Sequence, residues 1–429
     1  MTGPVIDLGE LRPGPEPDAA PLSRPPRAHG RPLRCALALL LVLATVAAAA
    51  APPPGRAVVT VPAQAGADVL VDGDLILVIN PVTAQAPQWR LAAFRLADGE
   101  PVWDVALPGQ ARSWGIVPKN GMLLLNGYEI GADPRASLTV ALDRATGAYR
   151  WQQPDTPVEL ADGTLLLRSN GEVEPVRLRS VDPCCGTVRW QVTAPAVGVD
   201  AQVAGEKAER LVFTDVRGPV EVRDTRTGAV LVRADLRPPG GRPLAYVQVV
   251  DDLVLAVGGE PKTITAYGLD RLDRRWSTTA GEVDIVHGCG SVLCLRTRSA
   301  GLWAVDPATG EVRWRSDRWM WAWPSGGRLL SSVISSGPVG QFFVIDALTG
   351  QELADLGRWE LYDVDTRGRL LGVRPHPDGG ALVGELDVRA GRTRIVDVLP
   401  EATGHCQAID GRLLCSGTGG TYRIWQLRD

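Results

Sequence analysis

The chain has 429 residues, 45% of them apolar, with a formal charge of −4 and an isoelectric point near 5.7. That is ample material for a large core, and it excludes the strongly basic surface expected of a nucleic-acid binder. Only three lysines occur, Lys119, Lys207 and Lys262, so nearly all the positive charge is arginine.

Residues 1–34 are rich in proline, with few aliphatic and no aromatic side chains. This composition predicts a disordered tail. Arg24, Arg27, Arg31 and Arg34 crowd its end, and an apolar run follows from Cys35 to Ala51 with Thr45 its one polar residue. The run is at the short end for a membrane-spanning signal-anchor, and Pro52, Pro53 and Pro54 stop it. Arginines on the N-terminal side predict that the tail stays in the cytoplasm and that the rest of the chain is exported. A cleaved signal peptide, processed near Ala48 and Ala50, is the competing reading. A lipoprotein is disfavoured, because Cys35 begins the apolar run instead of ending it. Residues 52–66 read as a linker in which Ala57 to Val61 is strand-like.

The region 67–429 is organised around a phrase seen at Leu302 to Trp314, Leu-Trp-Ala-Val-Asp-Pro-Ala-Thr-Gly-Glu-Val-Arg-Trp. An apolar strand leads to Asp306, whose carboxylate can accept backbone N–H groups of the turn. Gly310 supplies a positive φ, and the returning strand ends on Trp314. The phrase recurs about every 40 residues, with turn glycines at Gly99, Gly147, Gly186, Gly228, Gly310, Gly350 and Gly391, and Leu272 in the remaining copy. Four residues before lie acceptors such as Asp143, Asp182, Asp224, Asp306, Asp346 and Asp387. Four residues after lie Trp103, Trp151, Trp190, Trp276 and Trp314, with Val232, Ala354 and Ile395 in the other copies. A second phrase alternates with it, a Gly or Asp before a run such as Leu-Leu-Leu, as at Gly121, Gly290 and Gly411. Each phrase is a hairpin, so one unit holds four antiparallel strands, A to D.

A sheet of this kind buries both faces only by packing against neighbours around an axis, and a ring leaves only short edges exposed. The predicted fold is therefore all-β, a propeller of four-stranded antiparallel blades. Eight full units precede a partial ninth that lacks strand D. Taken literally the tally gives nine blades, with Ala57 to Val61 supplying the missing strand; eight, the usual limit for propellers of this repeat type, is the favoured number, with one unit irregular.

The phrase Ala-x-Asp-x-x-Thr-Gly-x-x-x-Trp, nearly intact at Ala141 to Trp151 with Asp143, Gly147 and Trp151 in the structural positions, resembles the tryptophan-docking repeat of quinoprotein-type propellers. It is similar to the PQQ-like repeat family, which includes quinoprotein dehydrogenases and BamB-type outer-membrane assembly lipoproteins. The resemblance implies a fold; activity must be argued from a site.

Six cysteines lie in the repeats, an even number. Cys406 and Cys415 are symmetric about Asp410-Gly411, a pair suited to a two-residue turn. They would face each other across about 4.5 Å, within disulfide range. Cys289 and Cys294 flank the corresponding turn at Gly290, so the same hairpin is predicted to be stapled in two units. A metal site with His287 and His405 is the sharper alternative, but the spacings match no common zinc arrangement. Cys184-Cys185 occupies the C–D turn of the third unit. A bridge there either locks a tight turn or, as in methanol-dehydrogenase-like quinoproteins, packs against PQQ.

Trp319, Trp321 and Trp323 alternate along a predicted inner strand, so all three should face one side, for packing between sheets or for sugar or peptide binding. Asp270, Asp273 and Glu282 read as solvated acids, and His376 as a loop residue. No phosphate loop, nucleophile elbow or haem-attachment motif is present. The sequence thus points to a membrane-anchored extracytoplasmic binding or scaffold module for a protein or cell-envelope partner. It names no catalytic, cofactor or metal residues. The alternatives are a PQQ- and calcium-dependent dehydrogenase and an extracytoplasmic ligand sensor.

Overall fold

The structure, a computed structural model, describes Gly14, residues 36–40 and residues 58–427, the last without 84–86, 108–110, 120, 130–136, 169–175, 195–197, 205–206, 216, 239–242, 260, 282, 298–300, 334–338, 363–367, 378, 410 and 418–419. The chain forms two bodies, Met1–Gly55 and Arg56–Asp429. In the first, residues 36–40 are helical; nearly all of the predicted tail and most of the predicted anchor lie outside the described residues. No helix among the described residues is long and apolar enough to cross a membrane.

The second body is all-β. Among its described residues the hydrogen-bonded sheets number eight, seven of four strands and one of seven. The strand Glu352–Tyr362 explains the long sheet. Its first part pairs with Gly340–Ile345, and its last residues, Glu360 to Tyr362, pair with Leu371–Pro375. One strand is therefore D of the seventh unit and A of the eighth. Gly357, at a φ of 87°, sits in a bulge within the first pairing, which continues to Trp359 before the partner changes at Glu360. The eight sheets therefore hold nine four-stranded units, so the alternative of nine blades describes the packing and the favoured eight does not, because two units share one strand. Among the described residues nine hydrophobic clusters are seen, each shared by two consecutive units.

The ninth cluster closes the ring. Val58–Pro62 pairs with Thr421–Gln426 as strand D of unit 9. Val61, Leu414 and Ile424 of that unit then bury against Ile76, Val78 and Phe94 of unit 1. The closing strand covers Val58–Pro62, ending one residue beyond the expected Val61; Ala57 lies outside the described residues. A strands of consecutive units adjoin, as in units 1 and 2 and in units 4 to 7, so they form the inner edge. D strands lie outermost and carry exposed apolar side chains such as Val102, Val188 and Leu353.

What joins the units is one repeated contact. Each docking indole lies over the turn glycine of the following unit and donates Nε1–H to the carbonyl three residues before that glycine. The distances are 3.1 Å for Trp103 to Arg144, 2.8 Å for Trp151 to Pro183, 3.0 Å for Trp190 to Thr225, 2.7 Å for Trp276 to Pro307 and 2.9 Å for Trp314 to Ala347. The glycine is obligatory twice over. Gly310 has a φ of 76°, and a Cβ there would lie 2.5 Å from Cε3 of Trp276.

The three copies without tryptophan have separate causes. In unit 5 the turn residue is Leu272, at a φ of 53°, and its buried side chain fills the space, so Val232 suffices opposite it. At the seventh junction Ala354 meets Gly391, and the aromatic is displaced to Trp359. That ring is buried on Gly372 and Gly384, where a Cβ would come within 3.0 and 2.6 Å of it. Ile395 has nothing to dock on, because strand D of unit 9 comes from the N-terminal side and no C–D turn exists there; it stays 48% exposed.

The turn acceptors behave alike. Asp143 Oδ1 accepts the N–H groups of Ala145 and Thr146 at 3.1 and 3.0 Å, and Oδ2 pairs with Arg150 at 2.7 Å. Asp306 takes Ala308, Thr309 and Arg313 in the same way. Arg150, then the Thr146 hydroxyl, hold the Asp143 carboxyl down to about 2.

Trp314→Ala is expected to cost about 3–5 kcal/mol, and Gly310→Val to destabilise as well. Ile395→Ala, at the same repeat position, should stay within about 0.5 kcal/mol of the parent. Denaturant unfolding of the three variants checks the docking scheme. A depressed carboxyl stabilises above its unfolded value and loses that contribution as pH falls through its folded value. Stability should therefore drop between the ordinary value of 3.8 and about 2 for Asp143. Asp143→Asn should show a shallower acid limb in melts recorded across that range.

Candidate functional site

The six repeat cysteines are paired. Cys406 faces Cys415 across the hairpin with Cα atoms 4.0 Å apart; Asp410 of their turn lies outside the described residues. Cys289 and Cys294 are joined diagonally, with Cα atoms 5.7 Å apart, since Cys294 faces His287 and Cys289 faces Val292. All four are buried. Cys184 and Cys185 are exposed, in the turn whose Gly186 seats Trp151; Asp182 Oδ1 accepts Cys184 N–H at 3.1 Å. His287 comes close to Cys289 and Cys294, as Asp182 does to Cys184 and Cys185. With the sulfurs bonded to each other, neither group offers the thiolates a soft metal needs.

The inner wall carries the polar and aromatic groups that the repeat does not consume. Side chains there stitch one unit to the next. Asp200 accepts Val249 N–H at 2.6 Å, Gln248 accepts Val286 N–H at 3.4 Å, and His287 Nε2 lies 2.9 Å from Ala322 O. On units 5 to 7 these groups meet an aromatic cluster. Asp284 grips Arg296 through Oδ1–Nε at 3.1 Å and Oδ2–Nη2 at 2.8 Å. That pairing holds the Asp284 carboxyl below the usual range. The Arg296 guanidinium lies 4.3 Å from the centroid of Trp321, a cation–π contact. Trp321 and Trp323 stack at 6.3 Å and 14°, and the His287 ring lies 5.8 Å from Trp321. Tyr246 stands behind, its hydroxyl buried without a hydrogen-bond partner and pushed up to about 12 by burial and then by Asp284.

Trp323 is 42% exposed, two residues from the strand end at Ser325 and the turn glycines Gly326 and Gly327, so the pair stands at the mouth of the inner wall. The expected row of three is reduced to two. Trp319 precedes the strand Trp321–Ser325 and is buried against Phe343, its Nε1 donating to Gly350 O at 3.3 Å. Sequence reasoning missed Asp284 and Arg296. Their signal was a charge on each of two adjacent inner strands, Val283–Cys289 and Val292–Thr297. Asp270 and Asp273 are exposed partners of Arg210 and Arg275, and Glu282 lies outside the described residues.

Nine packed four-stranded units, the Trp-on-Gly junction and a side-chain-rich inner wall define a repeat propeller of the PQQ-like class. The chain belongs to the family of the outer membrane protein assembly factor BamB, whose family model matches residues 88–316, more than half of the chain. Among solved structures it is similar to BamB from Moraxella catarrhalis, at 14% identity over 87% of this chain and 97% of that one, with a TM-score of 0.45. The computationally designed Ika8 protein matches at 13% identity over 87% and 100%, with a TM-score of 0.43. A chain of a mitotic checkpoint complex matches at 9% identity over 64% and 87%, with a TM-score of 0.38. No curated protein matches the chain in sequence.

Exposure orders the disulfides. Mild reductant on the folded protein should open Cys184–Cys185 first, while Cys289–Cys294 and Cys406–Cys415 resist until the fold is lost. Differential alkylation read by mass spectrometry checks the order, and early labelling of Cys294 or Cys415 would contradict it.

Proposed function

We propose that the protein is a non-enzymatic binding scaffold, anchored in the membrane by residues 35–51 with its propeller outside the cytoplasm. It engages a protein partner of the cell envelope through the wall at Trp321 and Trp323. The observation that carries this reading is that wall. Two large rings, one of them 42% exposed, are held on a rigid strand beside an arginine that is fixed by its own carboxylate. Tryptophan and arginine presented in this way are the residues that dominate protein–protein binding energy, because they bring large contact area at small entropic cost. Membership in a family described as an assembly factor supports a scaffold. Three disulfides support an oxidising compartment, and the arginines before the apolar run support its orientation. The dehydrogenase reading rests on Cys184-Cys185, and that pair belongs to a C–D turn on the outer half of its unit, seating Trp151.

One experiment tests location and site together. Intact cells lacking an outer barrier are treated with a membrane-impermeant cross-linker, with the parent protein or Trp321→Ala/Trp323→Ala. The parent is expected to form a discrete protein adduct, which the variant loses by at least tenfold while keeping its melting temperature. An adduct that forms only after lysis overturns the location. An undiminished adduct in the variant overturns the site.

A further inference from the structure

A cavity of about 540 Å³ opens on the inner wall where units 8, 9, 1 and 2 meet. Its size suits a small-molecule site. Its lining includes the carboxylates of Asp68 and Glu360, the rings of Tyr362 and Tyr422, and an aliphatic floor with Ile79 and Leu414. Among the described residues it includes no lysine, arginine or histidine. In a chain whose charges nearly balance, such a wall has a negative field of its own.

We propose that this cavity binds a small organic cation, an amine or quaternary ammonium with an apolar body. Each part of the lining answers one part of that chemistry. The carboxylates neutralise the ammonium, the tyrosine faces attract it through their quadrupoles, and the aliphatic floor covers its carbons. The rings are held in place. Tyr422 donates its hydroxyl to Ala67 O at 2.9 Å, across the seam between units 9 and 1. The Tyr362 hydroxyl is buried beside Glu360 and the Cys406 backbone, which fixes its ring. Burial, together with Asp68 for Tyr422 and Glu360 for Tyr362, pushes both phenols upward, so both rings are neutral when a cation arrives. A hard divalent ion is the poorer occupant. It needs six or more oxygen ligands, and Asp68 and Glu360 join no third ligating side chain among the described residues.

The test is calorimetric titration of the full chain with tetramethylammonium and with n-butylammonium. Neutral neopentyl alcohol, butyrate and Ca²⁺ serve as comparison ligands. Saturable binding of the two cations is expected, with no detectable binding of the alcohol or the anion. Asp68→Asn/Glu360→Gln should weaken it at least tenfold without changing the melting temperature, and Tyr422→Phe should retain it. A second variant, Tyr422→Leu, should weaken binding by removing the ring face. Absence of cation binding overturns the proposal. So do equal binding of the alcohol, displacement of the amine by stoichiometric Ca²⁺, and parental affinity in the carboxamide variant.

Discussion

The structure depends on an indole lying over a glycine. Neither partner is useful within its own unit: the tryptophan is the third residue of strand D of one sheet, and the glycine belongs to the C–D turn of the next. The contact combines burial of a large aromatic surface with an Nε1–H bond to a turn carbonyl that would otherwise face away from its own ladder. Because every such bond reaches forward to the next unit, a single unit is incomplete, and stability accumulates only as neighbours are added. The Asp carboxylate shapes the turn so that its carbonyl and its Cβ-free glycine are presented together. Sequence phrase and packing rule are thus one object seen at two scales.

The irregular units follow from the same rule. Leu272 places a side chain where a glycine would leave room, and its partner shrinks to Val232. The pair conserves volume and keeps the junction filled. At the seventh junction the strand Glu352–Tyr362 runs directly from one unit into the next, so the aromatic moves to Trp359 and its glycines move to Gly372 and Gly384. At the ring seam there is no turn at all, and Gly99 of unit 1 receives Val59 and Thr60 from the closing strand instead, with Val59 Cγ1 3.0 Å from where its Cβ would be.

The regular units were legible because their turn needs three residue types at fixed offsets, and chance rarely supplies all three. The number of packing units was less legible. The strand shared by units 7 and 8 merges two sheets into one between Trp359 and Glu360, where no turn residue marks the change of partner. Pairing of Cys406 with Cys415 could be read from hairpin register, whereas Cys289 and Cys294 meet diagonally, which turn symmetry alone does not specify. Alternation along Trp319 to Trp323 failed because alternation presumes a strand, and the strand begins at Trp321. The inner-wall site was hidden for a different reason. Asp284, Arg296 and Trp321 lie on three strands of two units, and their convergence is a property of the ring and of no single repeat.

That convergence also explains why chemistry collects on the inner edge. Residues of strands C and D are committed to the docking turn, and strand B is almost wholly buried. Strand A has one face against its neighbour and another open along the inner wall, so it tolerates Asp68, Asp284, Trp323 and Glu360 without disturbing a junction, and Arg296 of strand B and Tyr422 of strand C reach the same wall. The proposed cation cavity has one further property from its position. It spans the seam that Val58–Pro62 closes, and Tyr422 on its wall pairs in register with Val61 of that strand. A ligand that needs the Tyr422 ring in place binds best to the closed ring, and by linkage it must stabilise closure to the extent that it does. Occupancy of the cavity and attachment of the N-terminal strand are therefore coupled through one strand pairing.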